Sequence, residues 1–149
     1  MAEDSPVLIA YDGSDYAKDA IKAAGEQLRD GRKAIVLTVW QPYTAGGFGG
    51  APIPPEIDKE IEQEAQGVAD QGAELARTAG FEAEGTVERG DPIWERIVET
   101  ADEEDADIVV MGSHGRTGVQ RVLLGSVAAS VASHADRPVL IVHRPDESS

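Results

Sequence analysis

Asp107-Ile108-Val109-Val110-Met111, then Gly112-Ser113-His114-Gly115, then nine residues from Arg116 to Leu124, then Gly125-Ser126, is the stretch whose reading decides the fold. The apolar run before Gly112 predicts a strand buried on both faces. The glycines of Gly112 to Gly118 predict a loop. After Gly125-Ser126, the residues Val127, Ala128, Val131 and Ala132 return at helical spacing. Strand, glycine-rich loop and helix in that order form half of a parallel crossover unit.

The same alternation extends in both directions. Val7-Leu8-Ile9-Ala10-Tyr11 is a second short apolar run, closed by the turn residues Asp12-Gly13-Ser14. Ser14 or Asp15 is placed to cap a helix whose buried face is Ala17, Ala20, Ile21, Ala24 and Leu28, stopping near Gly31. Ala34 to Trp40 predicts the next strand, and the Gly- and Pro-rich segment Gln41 to Pro55 a loop. From Glu56, Ile57, Ile61, Ala65, Val68, Leu75 and Ala79 mark a long acidic helix ending at Gly80, weakened by Gly67 and Gly72 at about 1 kcal/mol each. Ala83 to Glu88 alternates and is polar, as suits a strand near a sheet edge. Asp91 is expected as N-cap and Pro92 as first helical residue of a helix burying Ile93, Ile97, Val98 and Ala101. Pro138 to Val142 is the fifth strand. Five strands alternating with four helices predict an α/β domain with a doubly wound parallel sheet and helices on both faces. Ligands of such sheets sit beyond the carboxyl ends of strands where the winding reverses, which singles out Asp12-Gly13-Ser14 and Gly112 to Gly118.

Composition bounds the partners. The chain has 149 residues, a length that suits one domain, and a formal net charge of −15. Such a polyanion repels nucleic acid and anionic membrane surfaces, whose affinity is carried by Lys and Arg. The acidic surplus, with lysine only at 18, 22, 33 and 59, suits a salt-rich, halophilic interior. Absence of cysteine excludes disulfides, thiol catalysis and thiolate metal sites. Without a signal-like N-terminus or an apolar run of membrane-spanning length, a cytoplasmic protein is expected.

Glycines let backbone N–H groups approach phosphate oxygens, and a helix start adds its positive dipole end, so Gly112, Ser113, Gly115, Gly125 and Ser126 suit a polyphosphate; a plain tight turn is the alternative. Asp12 at a strand end can accept ribose or adenine hydrogens or help hold a divalent cation; its alternative is an Asx turn beside Gly13. His114 and Arg116 stand within reach of phosphate, with exposed loop residues as the plainer reading, especially for His114. Trp40 and Trp94 read as packing residues, and Glu56 to Glu64 as a solvated helix face.

Gly-x-x-Gly, nine residues, Gly-Ser resembles the nucleotide signature of the ATP-binding branch of the universal stress protein family. The likeness extends through Leu8 to Ser14, Ile35 to Val39, Gly90-Asp91-Pro92, Ile108 to Met111 and Arg137 to Val142. It implies a Rossmann-like five-stranded sheet in order 3-2-1-4-5 and ATP, with Mg or Mn, as cofactor. By the same resemblance, Asp12 contacts adenosine and Ala10 and Val39 line the adenine pocket. Gly112, Ser113, His114, Gly115, Arg116, Thr117 and Gly118 wrap ribose and phosphates, while Gly125, Ser126 and Val127 hold the phosphates. Met111, closing the strand before the loop, is counted with these binding residues. The family's dimers pair the last strand with its twin, so a homodimer through Pro138 to Val142 is expected.

The chain has no Gly-x-x-x-x-Gly-Lys-[Ser/Thr] and no defensible Ser/His/Asp set, so a nucleotide-dependent regulatory module is favoured over an enzyme. The alternative is a slow ATP-hydrolysing enzyme of the adenine nucleotide hydrolase-like fold. A phospho-receiver is disfavoured because the last strand ends His143-Arg144 without lysine, and a flavin carrier would be yellow.

Overall fold

The structure is a computed structural model and describes residues 5–42, 54–115 and 124–144. The chain alternates β1 (Val7–Ala10), α1 (Asp15–Gln27), β2 (Lys33–Trp40), α2 (Pro55–Thr78), β3 (Glu82–Arg89), α3 (Ile93–Glu103), β4 (Ile108–Gly112), α4 (Ser126–His134) and β5 (Val139–Val142). All five strands are parallel and lie in the order β3-β2-β1-β4-β5. β1 is therefore central, paired through Leu8 with Ile35 on one side and Val109 on the other. Its apolar run has no solvent face, which is why Val7, Leu8 and Ile9 are fully buried.

Side-chain alternation divides the core into two layers. Val7 and Ile9 join Val36 and Val110 beneath α1 and α2. Leu8, Leu37, Val109 and Met111 join Ile97, Ala128 and Val131 beneath α3 and α4. α1 follows its predicted face, burying Ala17, Ala20, Ile21 and Ala24, and Ser14 caps it by accepting the Ala17 N–H at 3.1 Å. It ends at Gln27, short of Gly31.

α2 departs from the sequence reading. Its buried stripe is Ala65, Ala69, Gly72, Ala73 and Ala76, whereas Leu75 is exposed. Small residues win that face because α2 lies almost in contact with the sheet. A Cβ at Gly72 would stand 2.6 Å from Tyr11 Cδ2, while one at Gly67 would meet nothing within 4 Å. Only Gly67 is a simple helix weakener.

α3 begins one residue late. Pro92 is extended (φ −75, ψ 156) and occupies the N-cap position, with no side-chain cap bond. The Asp91 carboxylate instead accepts from Gln41 Nε2 at 3.2 Å, tying the ends of β2 and β3 together. Thr100 shares the buried face with Ile97 and Ala101 and donates its hydroxyl to the Arg96 carbonyl at 2.8 Å. Arg96 reaches Glu88 at 2.7 Å and Glu103 at 3.1 Å, clamping α3 to the edge strand. β5 forms the opposite edge, its four residues half-buried.

Candidate functional site

β1 and β4 are neighbours, and the connections leaving them turn to opposite faces of the sheet: α1 follows β1, and α4 lies on the other layer. A crevice opens at their carboxyl ends, holding a cavity of about 710 Å³. Ala10, Asp12, Val39, Met111, Gly112, His114, Gly115, Gly125, Ser126 and Val127 all line it. Of the residues expected at a ligand, Ser113 alone among the described ones does not. It is 1% exposed, its hydroxyl stands 3.1 Å from His114 Nδ1, and its carbonyl accepts the Gly125 N–H at 2.7 Å. Ser113 thus joins the two ends of the loop. Arg116, Thr117 and Gly118 lie outside the described residues.

Three glycines fit because something occupies the place of their side chains. A Cβ at Gly112 would meet the Tyr16 backbone at 2.8 Å, so α1 starts directly against the end of β4. A Cβ at Gly115 would stand 2.7 Å from Asp12 Oδ2, so the loop lies on that carboxylate. At Gly125 the nearest atom would be the Ser113 carbonyl oxygen, at 3.2 Å. Gly13, at φ +84, gives β1 its sharp exit.

Asp12 makes the expected Asx turn and also faces the cavity. Oδ1 accepts the Ser14 N–H at 2.9 Å, an Asx turn at the start of α1, while the residue lines the cavity. Gly125 is the N-cap of α4 and no side chain caps the helix. Its first N–H groups are the kind that take anions.

His114 corrects the expectation of an exposed loop residue. It is 9% exposed, held by Ser113 and by the Tyr16 ring at 5.1 Å between centroids, because the start of α1 covers it. Trp94 packs as expected, stacked on His134 at 4.2 Å. Trp40 does not only pack: it lines the cavity, with the Arg89 guanidinium 5.7 Å from its ring centroid.

Several lining residues escaped the sequence reading. Tyr11 and Thr38 belong to the strand ends, Ile61, Glu64, Ala65 and Val68 to α2, and Ile93 and Ile97 to α3. Only the helical spacing of Ile61, Ala65 and Val68 hinted at a shared face. Tyr11 is braced twice, its carbonyl accepting from Thr38 Oγ1 and its hydroxyl donating to Gln71 Oε1, both at 2.8 Å. Burial, and then the neighbouring Asp12 charge, raise the Tyr11 phenol above its ordinary pKa. Among the described residues, no group of three or more His, Asp or Glu side chains converges on a metal position, and no helix is long and apolar enough to cross a membrane.

Fold and cavity together define a doubly wound α/β domain with a concave site at the switch point of its sheet. The sequence profile of the universal stress protein family matches residues 5–143, and the chain belongs to that family. Universal stress protein MJ0531 of Methanocaldococcus jannaschii is 33% identical over 144 residues, 93% of this chain and 82% of that protein. MJ0577 of the same organism has a solved structure that superposes with a TM-score of 0.82 at 27% identity, covering 98% of this chain and 100% of that one. A universal stress protein of Archaeoglobus fulgidus solved in complex with dAMP superposes with a TM-score of 0.67 at 26% identity, covering 94% and 98%.

Proposed function

We propose that this protein binds ATP, with Mg or Mn, in the cavity at the ends of β1 and β4, and acts as a nucleotide-dependent regulatory module of the stress response without needing turnover. The convergence of the Asp12 carboxylate, the Gly115 backbone and the uncapped start of α4 on one cavity carries this reading. The dAMP complex of the Archaeoglobus fulgidus relative supports an adenine nucleotide as the ligand class. Ala10, Val39 and Met111 offer the base an apolar wall, and Gly125, Ser126 and Val127 offer phosphate the N–H groups of a helix start.

The donor set fits a cation brought by the nucleotide. Asp12 is the carboxylate beside the glycine loop, and a divalent ion there would take its remaining ligands from phosphate and water. The protein is proposed to work in the cytoplasm as a homodimer through β5. Titration calorimetry with ATP and magnesium in molar potassium chloride tests the reading, using wild type, Gly115→Val and Gly67→Ala. Wild type and Gly67→Ala should bind, whereas Gly115→Val, whose side chain collides with Asp12 Oδ2, should not. Equal binding by Gly115→Val removes the site assignment; rapid phosphate release favours a hydrolase.

A further inference from the structure

The cavity is lined from both layers of the core, and the expected adenosine contacts come from only one of them. Ala10, Val39 and Met111 belong to the layer beneath α3 and α4. Trp40 follows Val39 on a strand, so its side chain goes to the other face, the one covered by α2. Ile61, Ala65 and Val68 of α2 line the cavity there, with Glu64 exposed beside them. This α2 side of the cavity has no assigned occupant.

Its wall carries an aromatic side chain on a well-anchored strand end. Trp40 is half-buried and paired in register with Arg89, and its carbonyl accepts the Gly90 N–H at 3.0 Å. The Arg89 guanidinium stands 5.7 Å from the ring centroid, yet Arg89 does not line the cavity, so it supports the indole from the β3 side. An aromatic face, an aliphatic neighbour and a carboxylate able to accept amino hydrogens suit a purine ring. The whole cavity, at about 710 Å³, falls in the upper half of the range for ligand sites, roughly 300–1,000 Å³.

We propose that the α2 side of the cavity is a second base site and that the preferred ligand is a dinucleoside polyphosphate. One adenosine lies against Ala10 and Val39, the second purine lies on Trp40 with Glu64 accepting its amino hydrogens, and Gly115 with the start of α4 holds the phosphates between them. This inference rests on the nucleotide reading of the same cavity. The test compares ATP with diadenosine tetraphosphate by calorimetry and tryptophan quenching, in a Trp94→Phe background so that Trp40 is the only reporter. The dinucleotide should bind roughly five- to 150-fold more tightly than ATP, the usual worth of stacking one base on an aromatic side chain, and should quench Trp40. Trp40→Ala should narrow the ratio of the two affinities to about one, and Trp40→Phe should restore much of it. Equal affinities in the parent protein, or a ratio unchanged by Trp40→Ala, overturns the second base site while ATP binding stands. Failure of both ligands to bind overturns the nucleotide reading and this inference with it.

Discussion

Alanine at Gly67 should stabilise the protein, whereas alanine at Gly72, also inside α2, should not. In an exposed helix interior the change relieves backbone entropy and gains about 0.8–1 kcal/mol. Gly67 should receive that gain in full, because a Cβ there meets nothing within 4 Å. At Gly72 the new methyl would lie 2.6 Å from Tyr11 Cδ2, 2.7 Å from Val36 Cγ1 and 2.8 Å from Tyr11 Cγ. Neither neighbour can retreat. Tyr11 is 2% exposed and Val36 fully buried, the Tyr11 hydroxyl is tied to Gln71 at 2.8 Å, and a valine is stiff at χ1.

Overpacking of this kind costs about 1–3 kcal/mol, so after the helix gain Gly72→Ala should lose between nothing and about 2 kcal/mol. The two variants should therefore differ by about 1–3 kcal/mol. Urea unfolding in molar potassium chloride reads this as a raised midpoint for Gly67→Ala and an unchanged or lowered one for Gly72→Ala, with unchanged slope, and thermal melts as about 2–4 °C per kcal/mol. If Gly72→Ala raises the midpoint as much as Gly67→Ala, the close approach of α2 to β1 is wrong, and with it the α2 wall of the cavity.

Thr38→Val should cost about 1–3 kcal/mol in urea unfolding, because it removes a buried donor to the Tyr11 carbonyl; a wild-type midpoint would show that bond to be dispensable. Stability should also fall in alkali. Burial and Asp12 raise the folded Tyr11 pKa above 10.0, so its contribution is complete below that pH and is lost as pH rises through the higher folded value; Tyr11→Phe should flatten this limb, and an unchanged limb would assign it to other groups. The Pro138 and Val142 carbonyls accept the N–H groups of Val109 and Ser113, so by alternation the N–H of Ile141 faces away from the sheet. Ile141→Pro should thus keep the fold while making a dimer monomeric in sedimentation velocity; a persistent dimer would place the interface elsewhere. Nucleotide affinity should rise between about 0.1 and 1 M potassium chloride, as the screening length falls from about 10 Å to about 3 Å; a steep loss over that range would show that side-chain cations hold the phosphates.

The individual strands and the glycine loop were legible because the signals behind them are local, whereas the order of the strands in the sheet came from the family resemblance. β1 and β4 are buried on both faces, so their residues need no partner in view to be read as strands. Asp12-Gly13-Ser14 and Gly112 to Gly115 carry turn chemistry in their own side chains. α2 was misread because periodicity gives weight to large apolar residues. Leu75 satisfied the pattern but stands on the exposed side, while alanine and glycine hold the contact. How closely a helix approaches a sheet is a property of both elements, and Gly72 acquires its meaning only from Tyr11 and Val36. Asp91 failed as a cap for a similar reason, since its partner Gln41 lies fifty residues away in sequence.

The site shows the same division between local and distant causes, and charge gives it consequences. Among the described residues lining the cavity none is lysine or arginine, whereas Asp12 and Glu64 are acidic. In a chain of net charge −15, a phosphate would enter against a repulsive field. Among the described residues, the attraction for a phosphate would then come at short range, from oriented N–H groups at the start of α4 and along Gly115, together with any cation the nucleotide carries. Such dipoles act over the last few ångströms and depend on backbone placement. That placement is what Gly112, Gly115 and Gly125 secure, by letting Tyr16, Asp12 and Ser113 pack where side chains would otherwise be. The glycine spacing is readable in the sequence, but the groups that require it come from β1, α1 and the loop itself. An acidic protein can hold an anion in this way only if these contacts are tight, so enlarging any of the three glycines should harm binding more than removing any single charge.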